Sequence, residues 1–299
     1  MNTYLDLTTL KDIKTGLNIT SSDYDARLLD LVEAVSRSID EYCSRVFYVS
    51  LATKYYSGVA DDSISRLDPW GGPIIQTRGG GALSRESARL WLTDGDDLLS
   101  VTSLTMDTDG DRTYETTLDS ATDYRLWPYN ETPKIRVDLD IVNGQLASWG
   151  YGDARVKITG KWGYQENLIT LVPTMGVLAS SGVTATTSAS TGLAIGQTWL
   201  IDAEQVYVTA GSGTSWTITR GVNGTTAASH LAASVMYLYR YPGQVMTATM
   251  IQTSRIWKRK DDGFATVVGS EEMGNMRIWK GLDPDVQQLL NGGLKVYQI

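Results

Sequence analysis

The sequence predicts an α+β protein in which two helical segments flank a β-rich middle. Apolar residues recur at helical spacing between residues 22 and 46, and a stretch with few helix breakers runs from Gly243 to about Lys260. Between these segments, turn dipeptides and short alternating runs indicate strands. We therefore expect the N- and C-terminal helices to form one helical bundle, with a β-rich domain and a small all-β module inserted between them.

The first predicted part, residues 1–46, contains two helices. A short helix is expected from Thr9 to Thr15, with Gly16 as its stop. A longer helix is expected to begin near Ser22, because Asp25 follows three residues later, close to a capping box. Steps of three and four give this helix one apolar face, which is core or subunit contact. As a candidate subunit-contact set, this face provides Leu28, Leu31, Val35, Ile39 and Tyr42.

The second predicted part, residues 47–170, is a β-rich domain. Turn dipeptides such as Asp94-Gly95 and Asn143-Gly144 separate short β-branched runs. Runs at 101–106 and 112–118 flank an acidic turn at 107–111, which indicates a hairpin. In the run 155–162, Val156 and Ile158 alternate with polar residues and should share one face of a strand.

The third predicted part, residues 171–241, is a small inserted all-β module. Between residues 174 and 230, 19 of 57 residues are Ser or Thr, and the charged residues are Asp202, Glu204 and Arg220. Strand patterns persist at 197–201, 205–209, 215–219 and 235–239, so the segment is not a linker. We expect five or six strands that fold independently of the rest.

The last predicted part, residues 242–299, returns to helix. Pro242 suits the first turn of a helix that runs to about Lys260. The Gly-rich residues 261–281 indicate a loop, and Asp283-Pro284 is expected to cap a short helix through Leu290. The remaining residues, 292–299, are typical of an arm or a strand.

Composition excludes several classes of function. The chain has 299 residues and a net charge of −8, which disfavours a protein that grips DNA or RNA through phosphates. One Cys and one His exclude internal disulfides and Cys- or His-rich metal sites. The polar, acidic first eleven residues predict no secretory signal, and no apolar run is long enough to span a membrane.

Four local patterns suggest chemistry, and each has a simpler structural explanation. Asp107, Asp109 and Asp111 resemble the start of a calcium loop, but the sixth and twelfth loop positions are Arg112 and Leu118. The glycines at 79–81 follow an Arg like a phosphate nest but lack the Lys-Ser/Thr of a P-loop. His230 could pair with nearby Ser229 and Asp202, without a nucleophile elbow. Cys43 behaves as a small apolar residue. The sequence therefore predicts no enzyme, no metal and no cofactor.

One basic cluster stands at the end of the second long helix. It could contact DNA phosphates or an acidic partner, or it could be a solvated helix end that benefits from the helix dipole. This basic helix end consists of Arg255, Lys258, Arg259 and Lys260. A second composition signal is 16 Tyr and 9 Trp against 2 Phe, which is typical of interfaces and equally of aromatic β-strands.

The two helical ends resemble the phage head–tail connector (adaptor) family. The resemblance rests on the run 4–11, the helix 23–43 ending in Ile39-x-x-Tyr42, the strand 156–164, the helix 247–261 with its basic end, and the terminal helix 283–290. The resemblance as a whole covers about half of the chain, and these stretches follow the family's order. Segments 201–209 and 219–230 resemble a small β module that recurs in phage neck and tail proteins.

The resemblance implies a structural virion protein of the phage neck, made in the host cytoplasm. Family members form the first ring beneath the portal, typically with twelve identical copies, and extend the DNA channel. The implied partners are the portal protein, other copies of the chain, the next neck or tail-completion protein, and DNA that passes without specific binding. No membrane is implied. The alternative is a glycan- or receptor-binding accessory virion protein that uses the Tyr and Trp of the inserted module.

The resemblance also implies a docking element, because in relatives the C-terminal segment reaches towards the portal. A terminal arm behind Gly292-Gly293 could bury apolar side chains on another subunit, or it could fold back on its own chain. The candidate portal-docking arm consists of Asp283, Val286, Leu289, Leu290, Leu294, Val296, Tyr297 and Ile299.

Overall fold

The computed structural model describes residues 9–58, 85–92, 95–259, 267–270, 274–277 and 281–294. Within them the helices are α1 (Thr9–Gly16), α2 (Asp25–Cys43), α3 (Gly243–Arg259) and α4 (Pro284–Asn291). The first seven strands are β1 (Ser50–Gly58), β2 (Arg89–Trp91), β3 (Leu98–Met106), β4 (Thr116–Thr117), β5 (Tyr124–Trp127), β6 (Arg136–Leu139) and β7 (Gly152–Trp162). The others are β8 (Leu168–Thr170), β9 (Thr184–Thr186), β10 (Thr198–Ile201), β11 (Glu204–Ser212), β12 (Ser215–Thr219), β13 (Met236–Tyr239), β14 (Val267–Ser270) and β15 (Gly274–Arg277). This mixture of helices and antiparallel sheets agrees with the α+β class that the sequence predicts.

The chain divides into two compact units. One unit consists of residues 49–164, and the other combines residues 1–48 with residues 165–299. The second unit therefore holds α1–α4 and strands β8–β15, although the chain passes through the other unit between α2 and β8.

The unit 49–164 contains two antiparallel sheets, in the orders β1-β7-β3-β4 and β2-β6-β5. Strand β7 shows why they form. Val156 and Ile158 are fully buried, whereas the residues between them are not, as their alternation predicts. Both sheets contribute to one apolar core, with Leu104 and Val137 among its members. The expected hairpin is present, but β4 is only two residues long and pairs with the end of β3.

The inserted module forms a six-stranded antiparallel sheet in the order β8-β13-β10-β11-β12-β9. Strand β8 starts at Leu168, so the sheet begins before residue 171. This strand lies at the edge of the sheet and pairs with β13. Its core contains Trp199, Trp216 and Ile201, all buried. A backbone hydrogen bond of 2.9 Å from the Arg240 amide to the Asn167 carbonyl brings the two ends of the module together.

The helices pack through a separate apolar cluster. Leu10 and Ile13 of α1, Leu28 and Val32 of α2, and Trp257 of α3 are its buried members. Ser44 ends α2 in the left-handed conformation, with its amide bonded to the carbonyls of Asp40 and Glu41.

Two local predictions are corrected by the structure. Helix α2 begins at Asp25 rather than near Ser22, and Tyr24 precedes it without a side-chain cap. The carboxylate of Asp25 instead pairs with Lys14 of α1 at 2.6 Å. The expected loop at 261–281 contains strands β14 and β15, which pair from Val267–Arg277 to Ser270–Gly274. Within the described residues, every helix is too short or too polar to cross a bilayer.

Candidate interaction surfaces

The apolar face of α2 is mainly buried within its own chain. Leu28, Val35 and Ile39 have exposed fractions of at most 2%. The sequence leaves this face open between core and subunit contact, and burial assigns these three residues to the core. Leu31 and Tyr42 remain half-buried. Tyr42 is also tied to its own chain, because its hydroxyl donates to the Oδ1 atom of Asn291 in α4 at 2.9 Å.

At the start of α4, the candidate portal-docking arm contacts the basic helix end. Asp283 caps α4 as predicted, because its carboxylate accepts a hydrogen bond from the Asp285 amide at 2.8 Å. Its own amide donates to Oε1 of Gln252 in α3 at 3.0 Å. Arg255, from the basic helix end, forms an ion pair with the buried Asp283. These contacts fix the start of α4 against α3.

The basic helix end is therefore not a uniform cationic patch. Arg255 pairs with Asp283, while the Lys258 side chain is exposed at the C-terminal end of α3, where positive charge stabilises the helix dipole. Arg259 is half-buried, and Lys260 lies outside the described residues. Lys258 is thus the member best placed for an external contact.

The candidate portal-docking arm is largely packed into its own protomer as far as residue 294. Val286 and Leu290 are fully buried, Leu294 is 3% exposed, and Leu289 is half-buried. The buried members form an intramolecular anchor for α4, so they are not surface available to a partner. Val296, Tyr297 and Ile299 lie outside the described residues. The docking role of this set stays a sequence prediction.

A buried ionic network holds the inserted module together. The carboxylate of Glu204, 1% exposed, pairs in bidentate fashion with Arg220, with N–O distances of 2.6 and 2.7 Å. It also accepts hydrogen bonds from the amides of Gly221 at 3.0 Å and Ala228 at 2.9 Å. Nη1 of Arg220 donates to the carbonyls of Ala179 and Gly182. The network therefore connects two loops, the one between β8 and β9 and the one between β12 and β13, to β11.

His230 is a member of this network rather than of a catalytic triad. Its Nε2 lies 2.9 Å from Oε2 of Glu204, and its Nδ1 lies 2.7 Å from Oδ2 of Asp202. Burial tends to raise the pKa of Glu204, but hydrogen bonds from Arg220, Ala228, His230 and Gly221 lower it to about 2. Sequence reasoning paired His230 with Asp202 but missed Glu204 and Arg220. The available signal was that these are two of the few charged residues in a Ser/Thr-rich segment.

The Tyr and Trp side chains of the module are mostly core residues. Trp199, Trp216, Tyr207 and Tyr239 are each at most 5% exposed, and Trp199 packs edge to face against Trp216. Sugar-binding sites need aromatic faces that a ligand can reach. These four rings are buried, as the aromatic β-strand interpretation of the composition predicts.

The acidic turn after β3 gathers four carboxylates. Oxygens of Asp107, Asp109, Asp111 and Glu115 all lie within 4.8 Å of one another, and Glu115 is the member that sequence reasoning missed. Asp107 is satisfied by the amides of Gly110 and Arg112, at 2.6 and 3.0 Å. Glu115 accepts from the Thr108 amide at 2.7 Å. These bonds stabilise the compact turn.

Cys43 and the glycines at 79–81 are the two remaining sequence candidates. Cys43 is a fully buried thiol at the end of α2, as expected for a small apolar residue. The glycines at 79–81, considered as a phosphate nest, lie outside the described residues.

Comparison with known proteins gives one match. None of the curated proteins and none of the solved structures matches the chain. A family model does match residues 7–65, a segment that contains α1, α2 and β1. That family is the phage gp6-like head-tail connector protein, and the match confirms the family resemblance that the sequence carries in this segment.

Proposed function

We propose that the protein is a head–tail connector of the phage neck. In this proposal its copies form a ring, with twelve as the expected number, which docks on the portal and joins the next neck or tail protein. The observation that carries the proposal is the family match over residues 7–65. The role is architectural, and the protein resides in the virion neck between head and tail.

The packing of the helices supports this proposal. The matched segment supplies α1 and α2, and their buried residues share one cluster with Trp257 of α3. Helix α4 is fixed to α3 through Asp283, Gln252 and Arg255. Helices from both ends of the chain thus belong to one compact unit, as a helical adaptor body with an inserted β module would require.

The charge of the chain supports passage of DNA without specific binding. Phosphates bind to clustered lysines and arginines, and each fixed cation in a channel would hold DNA through counterion release. A net charge of −8 favours a wall along which DNA slides. In the basic helix end, the pairing of Arg255 with Asp283 removes one cation from any such contact.

The proposal is tested by mixing the purified full-length protein with the purified portal and separating the mixture by sedimentation. We expect co-sedimentation, with an annular particle below the portal in negative-stain projections. A connector that fails to bind portal under conditions where heads and tails assemble would contradict the proposal. Arg27→Glu, an exposed charge reversal on α2, is a control that should leave binding unchanged.

A further inference from the structure

A surface row of aromatic and arginine side chains lies on the outer face of the sheet β2-β6-β5. The register places Trp91 and Trp127 on either side of Arg136. The next outward row, two residues along each strand, contains Asp138 and Arg125. Residues that alternate with these, such as Leu90 and Val137, point inward and are buried. We name Trp91, Arg125, Trp127, Arg136 and Asp138 the Trp–Arg face.

Contacts within the chain fix the side chains at the centre of the Trp–Arg face. The Arg136 guanidinium carbon lies 4.8 Å from the centre of the Trp91 ring and 4.5 Å from that of Trp127. Its Nε and Nη2 atoms donate to the Asp138 carboxylate at 2.6 and 2.7 Å. Rigid aromatic and arginine side chains lose little conformational entropy on binding, so this arrangement suits an interface.

The Trp–Arg face is also open to a partner. Trp91 is 55% exposed, and the Arg125 side chain is 54% exposed with one long contact, 3.4 Å, to Asp140. A groove beside it is lined by Arg125, Tyr129 and Ile141. Trp, Tyr and Arg are the residue types that contribute most binding energy in protein interfaces. The inward residues of these strands form the core, so the exposed side chains are not needed to fill it.

Charge indicates which partner fits. Arg89, Arg125 and Arg136 outnumber Asp138 and Asp140 by one, which is too small an excess for a surface that binds phosphates. It is nevertheless a local positive excess on a chain of net charge −8. A second copy of the chain offers the opposite charge, because its net charge is negative.

The acidic turn after β3 is a segment of a second copy that complements this face in charge. Asp109, Asp111 and Glu115 are exposed, and hydrogen bonds from Thr108 keep the pKa of Glu115 below its usual range. The turn is preformed by the bonds from Gly110 and Arg112 to Asp107. A convex acidic turn and an open arginine-containing face are two different surfaces, as a head-to-tail contact requires.

We propose that the Trp–Arg face of one subunit binds the acidic turn of the next subunit. This inference rests on the proposed ring and assigns its subunit contact to the unit 49–164. Each subunit then offers both surfaces, the Trp–Arg face and the acidic turn. Repetition of that heterologous contact closes a ring when the rotation per subunit is an integral fraction of a turn.

The test is an exchange of charges across the contact in the full-length protein. Arg125→Glu alone, or Asp109→Lys with Asp111→Lys, should abolish the ring on the portal or raise the protein concentration for half-assembly by at least about tenfold. A chain that carries all three substitutions restores opposite charges and should assemble again. The readout is the number of copies bound per portal ring, measured by native mass spectrometry.

Three further variants keep the result interpretable. The double variant Asp109→Asn with Asp111→Asn retains acceptor oxygens for the turn, removes two of its four negative charges and should weaken assembly. Trp91→Ala should do the same through lost packing. Arg27→Glu, an exposed charge reversal on α2, should assemble like the natural chain.

Normal rings with both single-sided charge reversals would overturn the inference, while portal binding, and so the proposed function, would stand. Loss of duplex DNA binding by Arg125→Glu and Trp91→Ala, with unchanged ring assembly, would assign the face to nucleic acid and also overturn it.

Discussion

At the scale of single residues, Glu204 shows how the inserted module compensates a buried charge. Its carboxylate receives two bonds from Arg220 and one each from two backbone amides, so nearly all of its lone pairs are used. An uncompensated carboxylate at 1% exposure would be strongly unfavourable.

The pKa of Glu204 leads to a prediction about acid stability. Its folded value of about 2 lies below the ordinary value of 4.5, so the unfolded chain binds the proton more readily. The stabilisation is complete above about pH 4.5 and is lost as the pH falls towards 2. Glu204→Gln should abolish this part of the pH dependence. At pH 7 it should destabilise the module by about 3–5 kcal/mol, because Arg220 loses its buried partner.

Hydrogen exchange of the Trp199 and Ile201 amides at pH values from 2 to 7 measures this effect within the full chain. The matched control is Asp202→Asn, which changes the other carboxylate at His230 but whose side chain is 63% exposed. It should cost much less stability. An equal pH dependence in the natural chain and Glu204→Gln would show that Glu204 does not stabilise the folded state through its charge.

At the scale of elements, sequence patterns predict those structures whose causes are local. The bounds of β12, Ser215–Thr219, and the capping of α4 by Asp283 depend on neighbouring residues, and both were predicted. The hairpin β14–β15 was missed, because its glycines at 269 and 274 have the same signature as a loop. The Trp–Arg face was also missed, since it requires the register between β2 and β6, which lie dozens of residues apart in the sequence.

Helix α4 changes how the docking arm should be tested. A truncation after Asn291 would remove Leu294, which is 3% exposed and contributes to the protomer's own packing. Its loss would combine a folding defect with a binding defect. A cut after Leu294 instead removes the last five residues, including Val296, Tyr297 and Ile299, and keeps the anchor of α4.

We expect the chain that ends at Leu294 to keep its thermal stability and to lose most of its affinity for the portal. The physical reason is that several apolar side chains that would be buried on the partner are removed, each worth roughly 1.5–3 kcal/mol when fully buried. Leu290→Ala is the comparison, because it should lower stability by about 2–5 kcal/mol through a core cavity. Unchanged portal affinity of the truncated chain, measured by interferometry, would exclude these residues as the docking element.

At the scale of the whole molecule, the inserted module is joined to the helical part of its unit at neighbouring points. The Asn167–Arg240 hydrogen bond of 2.9 Å closes the module at its base. Strand β8 pairs with β13, so residues 168–170 belong to the module's sheet. The apolar core of the module contains none of the residues in the cluster of α1, α2 and α3. Separate cores and adjacent ends are what an insertion that preserves its host would have.

The final prediction is that residues 168–239 can be removed and replaced by a short Gly/Ser link without loss of the helices. The link has little distance to span, because Asn167 and Arg240 are hydrogen-bonded neighbours, so its closure entropy is small. Tyr241 stays in the shortened chain because it is 6% exposed and belongs to the helical side of the junction. The helical circular dichroism signal should persist, and the protein should still bind the portal.

A deletion of residues 173–240 would serve as the comparison, since it leaves β8 without its partner β13 and should produce a less stable protein. Loss of the helical signal in the 168–239 deletion would instead show that the module is part of the structural core.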